Sequence, residues 1–131
     1  MNAEPRHADD AGFEFPRRLI VAISSSAIDP LEGTGTPQAL KEHAAATAQA
    51  MLPLLLLDNQ LVITHGNGPQ VGKLLLASAV ARGRITPQSL DILVAQTQGG
   101  IAYLLAQAFE NALRAVGSPR HVVCLVTHVE V

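Results

Sequence analysis

A single α/β domain built on a parallel sheet is the fold class this sequence predicts, and three observations predict it. Residues 19–23, 61–63 and 122–126 are short, unbroken aliphatic runs without in–out alternation, which fits strands buried on both faces by helices. Stretches with apolar residues three and four apart separate those runs, giving the order β-α-β-α-α-β with right-handed crossovers. Finally, 131 residues of which 48% are hydrophobic suit one core and one domain.

The elements follow in order. Residues 1–15 read as a disordered N-terminal tail, because Glu4, Arg6, His7, Asp9, Asp10 and Glu14 leave no apolar stretch. The same mixture is not a secretory signal. The folded domain then occupies residues 16–131. After the first strand, Thr36-Pro37 supplies an N-cap and a proline at the first helical position, where a missing N–H costs nothing. That helix is expected to reach about Leu52, with Pro53 kinking or ending it. The second strand ends at Thr64, and Pro69 opens a helix running to about Arg82. Thr86-Pro87 opens the next, and Gly99-Gly100 is a candidate break within it. From Ile101 onward Leu104, Leu105, Ala108, Phe109, Ala112, Leu113 and Val116 share one helix face, while Glu110 and Arg114 pair on the outer side. Gly117 with Ser118-Pro119 is a stop signal. The third strand run leads to Val131, so the sheet is expected to present long unpaired edges that ask for cover.

Composition excludes several functions. The formal charge of −2, with arginines and lysines scattered along the chain, argues against nucleic-acid binding. The longest apolar run, residues 51–57, contains Pro53 and falls far below the ~20 residues of a membrane span. Cys124 is the only cysteine; it forms no internal disulfide, suggests a reducing cytoplasmic setting, and is expected to be a small buried hydrophobe. His43, His121 and His128 lack metal-ligand spacing, so no metal site is expected. Arg17 and Arg18 precede the first strand, far from the strand tips, and Lys73 reads as a solvated surface lysine.

The strongest chemical signal is the run Leu61-Val62-Ile63-Thr64-His65-Gly66-Asn67-Gly68-Pro69-Gln70-Val71-Gly72. A strand ends, a Gly-Asn-Gly turn follows, and a helix begins. Gly66 and Gly68 are expected to adopt positive φ and expose backbone N–H groups. The helix N-terminus adds partial positive charge, so the junction suits phosphate, carboxylate or carbamate. Such crevices at the carboxyl ends of parallel strands are common ligand sites.

This run resembles the LVITHGNGPQVG segment of carbamate kinases, members of the amino-acid kinase superfamily. Leu90-Asp91-Ile92-Leu93-Val94-Ala95-Gln96-Thr97-Gln98-Gly99, with Ile101 and Tyr103-Leu104-Leu105, resembles a second segment of that family, and Thr127-His128-Val129-Glu130-Val131 a third. The resemblance implies a three-layer parallel α/β sandwich of the amino-acid kinase type, represented by its N-terminal portion. It implies phosphoryl transfer between ATP and carbamate, or carbamoyl phosphate and ADP, with ATP/ADP and Mg as cofactors in a homodimer. By the same resemblance, Gly66, Asn67 and Gly68 contact the small anionic substrate, flanked by His65 and Gln70, with Gln96 to Gly99, Gln98 among them, near the same crevice. Phosphoryl transfer needs mainly positioning and charge neutralisation.

Two departures qualify that expectation. Where the family has a Gly-Gly-Asn-Ala loop after its first strand, this sequence has Ser24-Ser25-Ser26-Ala27, whose Cβ atoms crowd an approaching oxygen while their hydroxyls offer donors. Family members are more than twice as long, and their catalytic lysines and nucleotide contacts lie beyond the matching stretch. The expected activity is therefore impaired in isolation. The alternatives are a non-catalytic anion-binding or regulatory module, one half of a split kinase whose partner chain supplies the rest, and a remnant that only folds or dimerises.

Overall fold

The computed structural model describes residues 17–29 and 35–128. The expected tail, residues 1–15, and Glu130 lie outside the described residues. Within them the order is β1 (Arg18–Ile23), a 3-10 turn (Ser25–Ala27), α1 (Pro37–Leu55), β2 (Gln60–His65), α2 (Gly68–Val80) and α3 (Leu90–Ala115).

β1 and β2 pair in parallel, from Arg18 opposite Gln60 to Ile23 opposite His65, so both strands end at the same edge of the molecule. Side chains alternate across a strand. Val21, Ile23, Leu61 and Ile63 join the core, whereas Ile20 and Val62 on the other face are 75% and 54% exposed. The expectation of strands buried on both faces is thus corrected. Among the described residues one helical layer covers the sheet, and the second face is bare.

That layer is α1 against α3. Ala44, Ala48, Met51 and Leu55 form one stripe of α1, and Ile101, Leu105, Phe109, Ala112 and Leu113 one stripe of α3. Alanines at the contact let the helix backbones approach closely, and Phe109 fills the centre at 2% exposure. The Thr36 hydroxyl accepts from the Ala39 amide and caps α1. Pro53 does not end that helix, which continues to Leu55 because Met51 and Leu55 are both buried in the core. α3 begins at Leu90, behind Ser89, rather than at Thr86-Pro87. It passes unbroken through Gly99-Gly100, as the buried residues Thr97, Ile101 and Leu105 hold one face across them. Two glycines cost a helix about 1 kcal/mol each, less than the burial of those neighbours contributes. At its end, Gly117 has φ +69°, and the Ser118 and Gly117 amides donate to Leu113 and Arg114 carbonyls, closing a Schellman motif.

The third expected strand does not form. Residues 122–126 belong to no sheet, and Val123 and Leu125 are 80% and 81% exposed. Polar groups of α3 hold this segment instead. Glu110 accepts from the Val122 amide (2.8 Å), the Cys124 thiol donates to the Ala102 carbonyl (3.3 Å), and Gln98 accepts from the Thr127 amide (3.0 Å). Cys124 is accordingly exposed, against the expectation of a buried hydrophobe. Upstream, the Arg120 guanidinium donates to the carbonyls of Leu55, Leu57 and Asn59 and anchors the segment beside the start of β2. No helix among the described residues is long and apolar enough to cross a membrane.

Candidate functional site

Because β1 and β2 are parallel and in register, the loops that follow them leave the sheet side by side. Ser24 caps the 3-10 turn, its Oγ accepting from the Ser26 amide and lying 2.7 Å from the Ser26 Oγ. One of these two hydroxyls donates to the other. Ser25, between them, faces the second loop: a Cβ placed on Gly66 would sit 3.7 Å from its Cβ and Oγ. The two walls of the expected cradle are therefore in contact.

The Gly66–Gly68 turn differs from expectation in its backbone. Neither Gly66 nor Gly68 has a positive φ; among the described glycines only Gly35, Gly83 and Gly117 do. The Gly66 amide is moreover taken by the Ile23 carbonyl at 3.3 Å, which continues the sheet by one rung. The physical reason is that β2 runs into α2 through only two residues, Gly66 and Asn67 (φ −143°, ψ 10° at Asn67), so no left-handed turn is needed. Gly68 is the first residue of α2, with no atom within 4 Å of where its Cβ would be. Its N–H and that of Gln70 belong to the first turn of α2, which has no intrahelical acceptors; the Asn67 carbonyl accepts from Val71. The Gly66 amide is therefore not open to an anion, whereas the first-turn amides of α2 have no intrahelical acceptor.

Asn67 is held through its side chain. Its Nδ2 donates to the Thr97 Oγ1 (2.8 Å) and the Val94 carbonyl (3.4 Å), and Thr97, 6% exposed, donates in turn to Val94 at 2.8 Å. The turn is therefore pinned to α3 by the helix segment that sequence placed near it. Gln70 is different: both its amide nitrogen and oxygen are buried without a hydrogen-bond partner among the described residues. Groups left in that state cost about 1–3 kcal/mol, so a partner from outside the described protein atoms is favoured there.

The remaining expected residues make contacts of their own. The His65 Nδ1 lies 3.2 Å from the Gly66 carbonyl, and its ring lines a cavity between β2, α3 and residues 120–125. Gln98 is engaged with Thr127, and Gln96 donates to Gln88. Lys73 is not simply solvated. Its ammonium pairs with Asp29, which is 3% exposed and whose other oxygen has no partner among the described residues. Since the Asp29 amide donates to the Ser25 carbonyl, this pair ties α2 to the loop after β1. Sequence reasoning missed Asp29 and Arg120, as neither carries a local pattern; each matters through a partner more than 25 residues away. Among the described residues no group of three histidine, cysteine or acidic side chains is placed to hold a metal ion.

A parallel sheet, helices on one face, and a strand–turn–helix junction open at the strand tips define an α/β domain of the amino-acid kinase type. Within that class the chain is a homologue of the carbamate kinases, matching their N-terminal portion. It is 34% identical over 115 residues to the carbamate kinase of Pyrococcus horikoshii, covering 86% of this chain and 37% of that protein. It is 39% identical over 115 residues to the carbamate kinase of Thermococcus kodakarensis, covering 85% and 36%. The carbamate kinase of Giardia lamblia bound to AMP-PNP superposes with a TM-score of 0.74 at 26% identity, over 79% of this chain and 33% of that one. This chain spans little more than a third of the length of the curated relatives it matches. No family model matches it.

Proposed function

We propose that this chain forms the acceptor-substrate side of a carbamate kinase-like phosphotransferase, binding carbamate or carbamoyl phosphate at the mouth of the two loops. The observation that carries this reading is the open space at Gly68 on the first turn of α2, beside the unpaired amide of Gln70 and the Ser25 face of the first loop. An oxyanion there meets backbone N–H groups, a hydroxyl and the positive end of a 13-residue helix. α3 holds one side of the turn through the Asn67–Thr97 hydrogen bond.

Transfer of the phosphoryl group also needs a nucleotide and charge neutralisation by Mg. The described residues offer no metal cluster, and their one cation near the site, Lys73, is committed to Asp29. No step is therefore assigned to a metal or nucleotide here. The chain's own contribution is to bind and orient the small anion. The mutual pairing of the Ser24 and Ser26 hydroxyls favours binding without turnover by these residues alone.

Calorimetric titration of the purified chain with carbamoyl phosphate tests the reading. Saturable heat at about millimolar ligand, abolished by Gly68→Val, is the expected result, with no ATP formed from added ADP. Absence of heat ends the proposal, and turnover that survives Gly68→Val shows that the reacting groups lie elsewhere.

A further inference from the structure

The ion pair between Lys73 and Asp29 joins the loop after β1 to the helix that follows β2. On the first wall the Ser25 carbonyl accepts from the Ile28 and Asp29 amides at 3.2 and 2.9 Å, so the turn from Ser25 to Asp29 is closed on itself. The Ile28 carbonyl lies 3.3 Å from the His43 Nδ1 of α1, and Ser25 lies against Gly66. On the second wall Lys73 stands five positions after Gly68 on α2, about 7.5 Å along the helix axis. Its ammonium is met by Asp29 on one side and by Gly35 on another, where a methyl group would stand 3.2 Å away. Burial makes the pair unequal. The Lys73 side chain is 57% exposed and can be solvated alone, whereas Asp29 is 3% exposed and its Oδ1 has no partner among the described residues.

We propose that Lys73 and Asp29 are positioning residues of the anion site. Their ion pair sets the spacing of its two walls, and Lys73 acts on a bound oxyanion through the loop rather than by touching it. The inference deepens the reading given above and rests on it for the identity of the anion. The inequality of the pair gives it a direction. Taking the cation away strands a buried carboxylate, and a stranded charge is worse for the fold than the loss of both charges together. The carboxylate regains water only by leaving its buried position. Because the Asp29 amide is bonded to the Ser25 carbonyl, that departure carries Ser25 away from Gly66 and widens the mouth of the cradle. The exposed lysine has no such leverage when Asp29 is neutralised, since it is left in water with its own charge. Loss of Lys73 alone is therefore the damaging change, and loss of both charges is the milder one.

The test is NMR of the full chain, following the Ser25 and Gly66 amides with and without carbamoyl phosphate. Lys73→Met is expected to shift both amides in the free chain while the Leu105 and Phe109 amides of the core stay in place. Carbamoyl phosphate affinity then falls about tenfold or more. Adding Asp29→Asn, which is isosteric and uncharged, is expected to return both amides and to recover affinity to within about threefold of the wild type. A lysine that serves only as half of a surface ion pair predicts unmoved Ser25 and Gly66 amides in Lys73→Met, and that result overturns the proposal. Recovery of the amides without the affinity overturns it too, because the lysine then touches the anion itself. Should Lys73→Met unfold the chain, refolding on addition of Asp29→Asn supports the proposal, and a second unfolded protein ends it. Wild-type protein that binds no carbamoyl phosphate removes the anion reading alone, since the amide shifts of the free chain still decide whether the pair sets the spacing of the walls.

Discussion

Asn67 and Gly68 sit next to each other and do different work. The Asn67 side chain is spent on the protein, bonding Thr97 and Val94, while its backbone bridges strand and helix. Asn67→Ala leaves the buried Thr97 hydroxyl without its donor and is expected to destabilise the chain by about 1–2 kcal/mol in urea unfolding. Carbamoyl phosphate binding should weaken with it, because the turn is no longer pinned. Gly68 makes no such contact, lies in the first turn of a helix and has open space around it. Gly68→Ala is therefore expected to raise stability by about 0.5–1 kcal/mol and yet to lower carbamoyl phosphate affinity about tenfold. A methyl group there suits the helix and occupies the space proposed for the anion. Equal affinity for both proteins would place the ligand elsewhere. Serines 24 to 26 teach a related lesson. From sequence they are three hydroxyl donors, but two of them bond each other and Ser25 lies against Gly66.

Among the elements, the C-terminal segment departs furthest from its sequence pattern. Its aliphatic run is as strand-like as β1, yet it lies against α3, where Glu110, Ala102 and Gln98 supply partners for its polar groups and, among the described residues, no neighbouring strand does. The Val122 amide, donating to Glu110, holds that carboxyl below its ordinary value of 4.5, with His121 and Arg114 adding attraction. A lowered value in the folded chain means that the carboxylate, not the acid, favours the docked segment. The contribution is complete above pH 4.5 and disappears as pH falls through the lower folded value. The Val122 amide resonance should accordingly titrate in that window, and Glu110→Gln should abolish the titration without shifting the resonances of β1. A Val122 signal indifferent to pH would show that the segment is held by something else. Helices α1 and α3 were legible because their apolar spacing is regular over many turns. Their ends were less so: Pro53 and Gly99-Gly100 look like stops, but packing on both sides overrides a local penalty of this size.

For the molecule as a whole, stability rests on the α1–α3 interface rather than on the two-stranded sheet. Two strands with one bare face are marginal alone, whereas Phe109, Leu113 and Ile28 are almost wholly enclosed. Phe109→Ala is expected to cost about 3–5 kcal/mol, more than any substitution in the two loops, measured by loss of the cooperative unfolding transition. A loss below about 1 kcal/mol would show that the helices do not form the core in solution. The bare face at Ile20 and Val62, the open β2 edge and the exposed Val123 and Leu125 all lie on the same sheet or beside it. The sheet is therefore the least self-sufficient part of these residues, although its strand tips carry the proposed site.

Sequence by itself determined the order of the elements through α3, the parallel pairing implied by that order, the strand–turn–helix junction at residues 61–72, and the kinship with carbamate kinases. All of these are written in local spacing or in short motifs. Only the tertiary structure decided that Gly66 spends its amide on Ile23, that Asn67 turns to Thr97, that Asp29 captures Lys73, and that residues 122–126 stay out of the sheet. Each of those outcomes is a competition among distant partners for one polar group, and a linear pattern does not record which partner lies nearest.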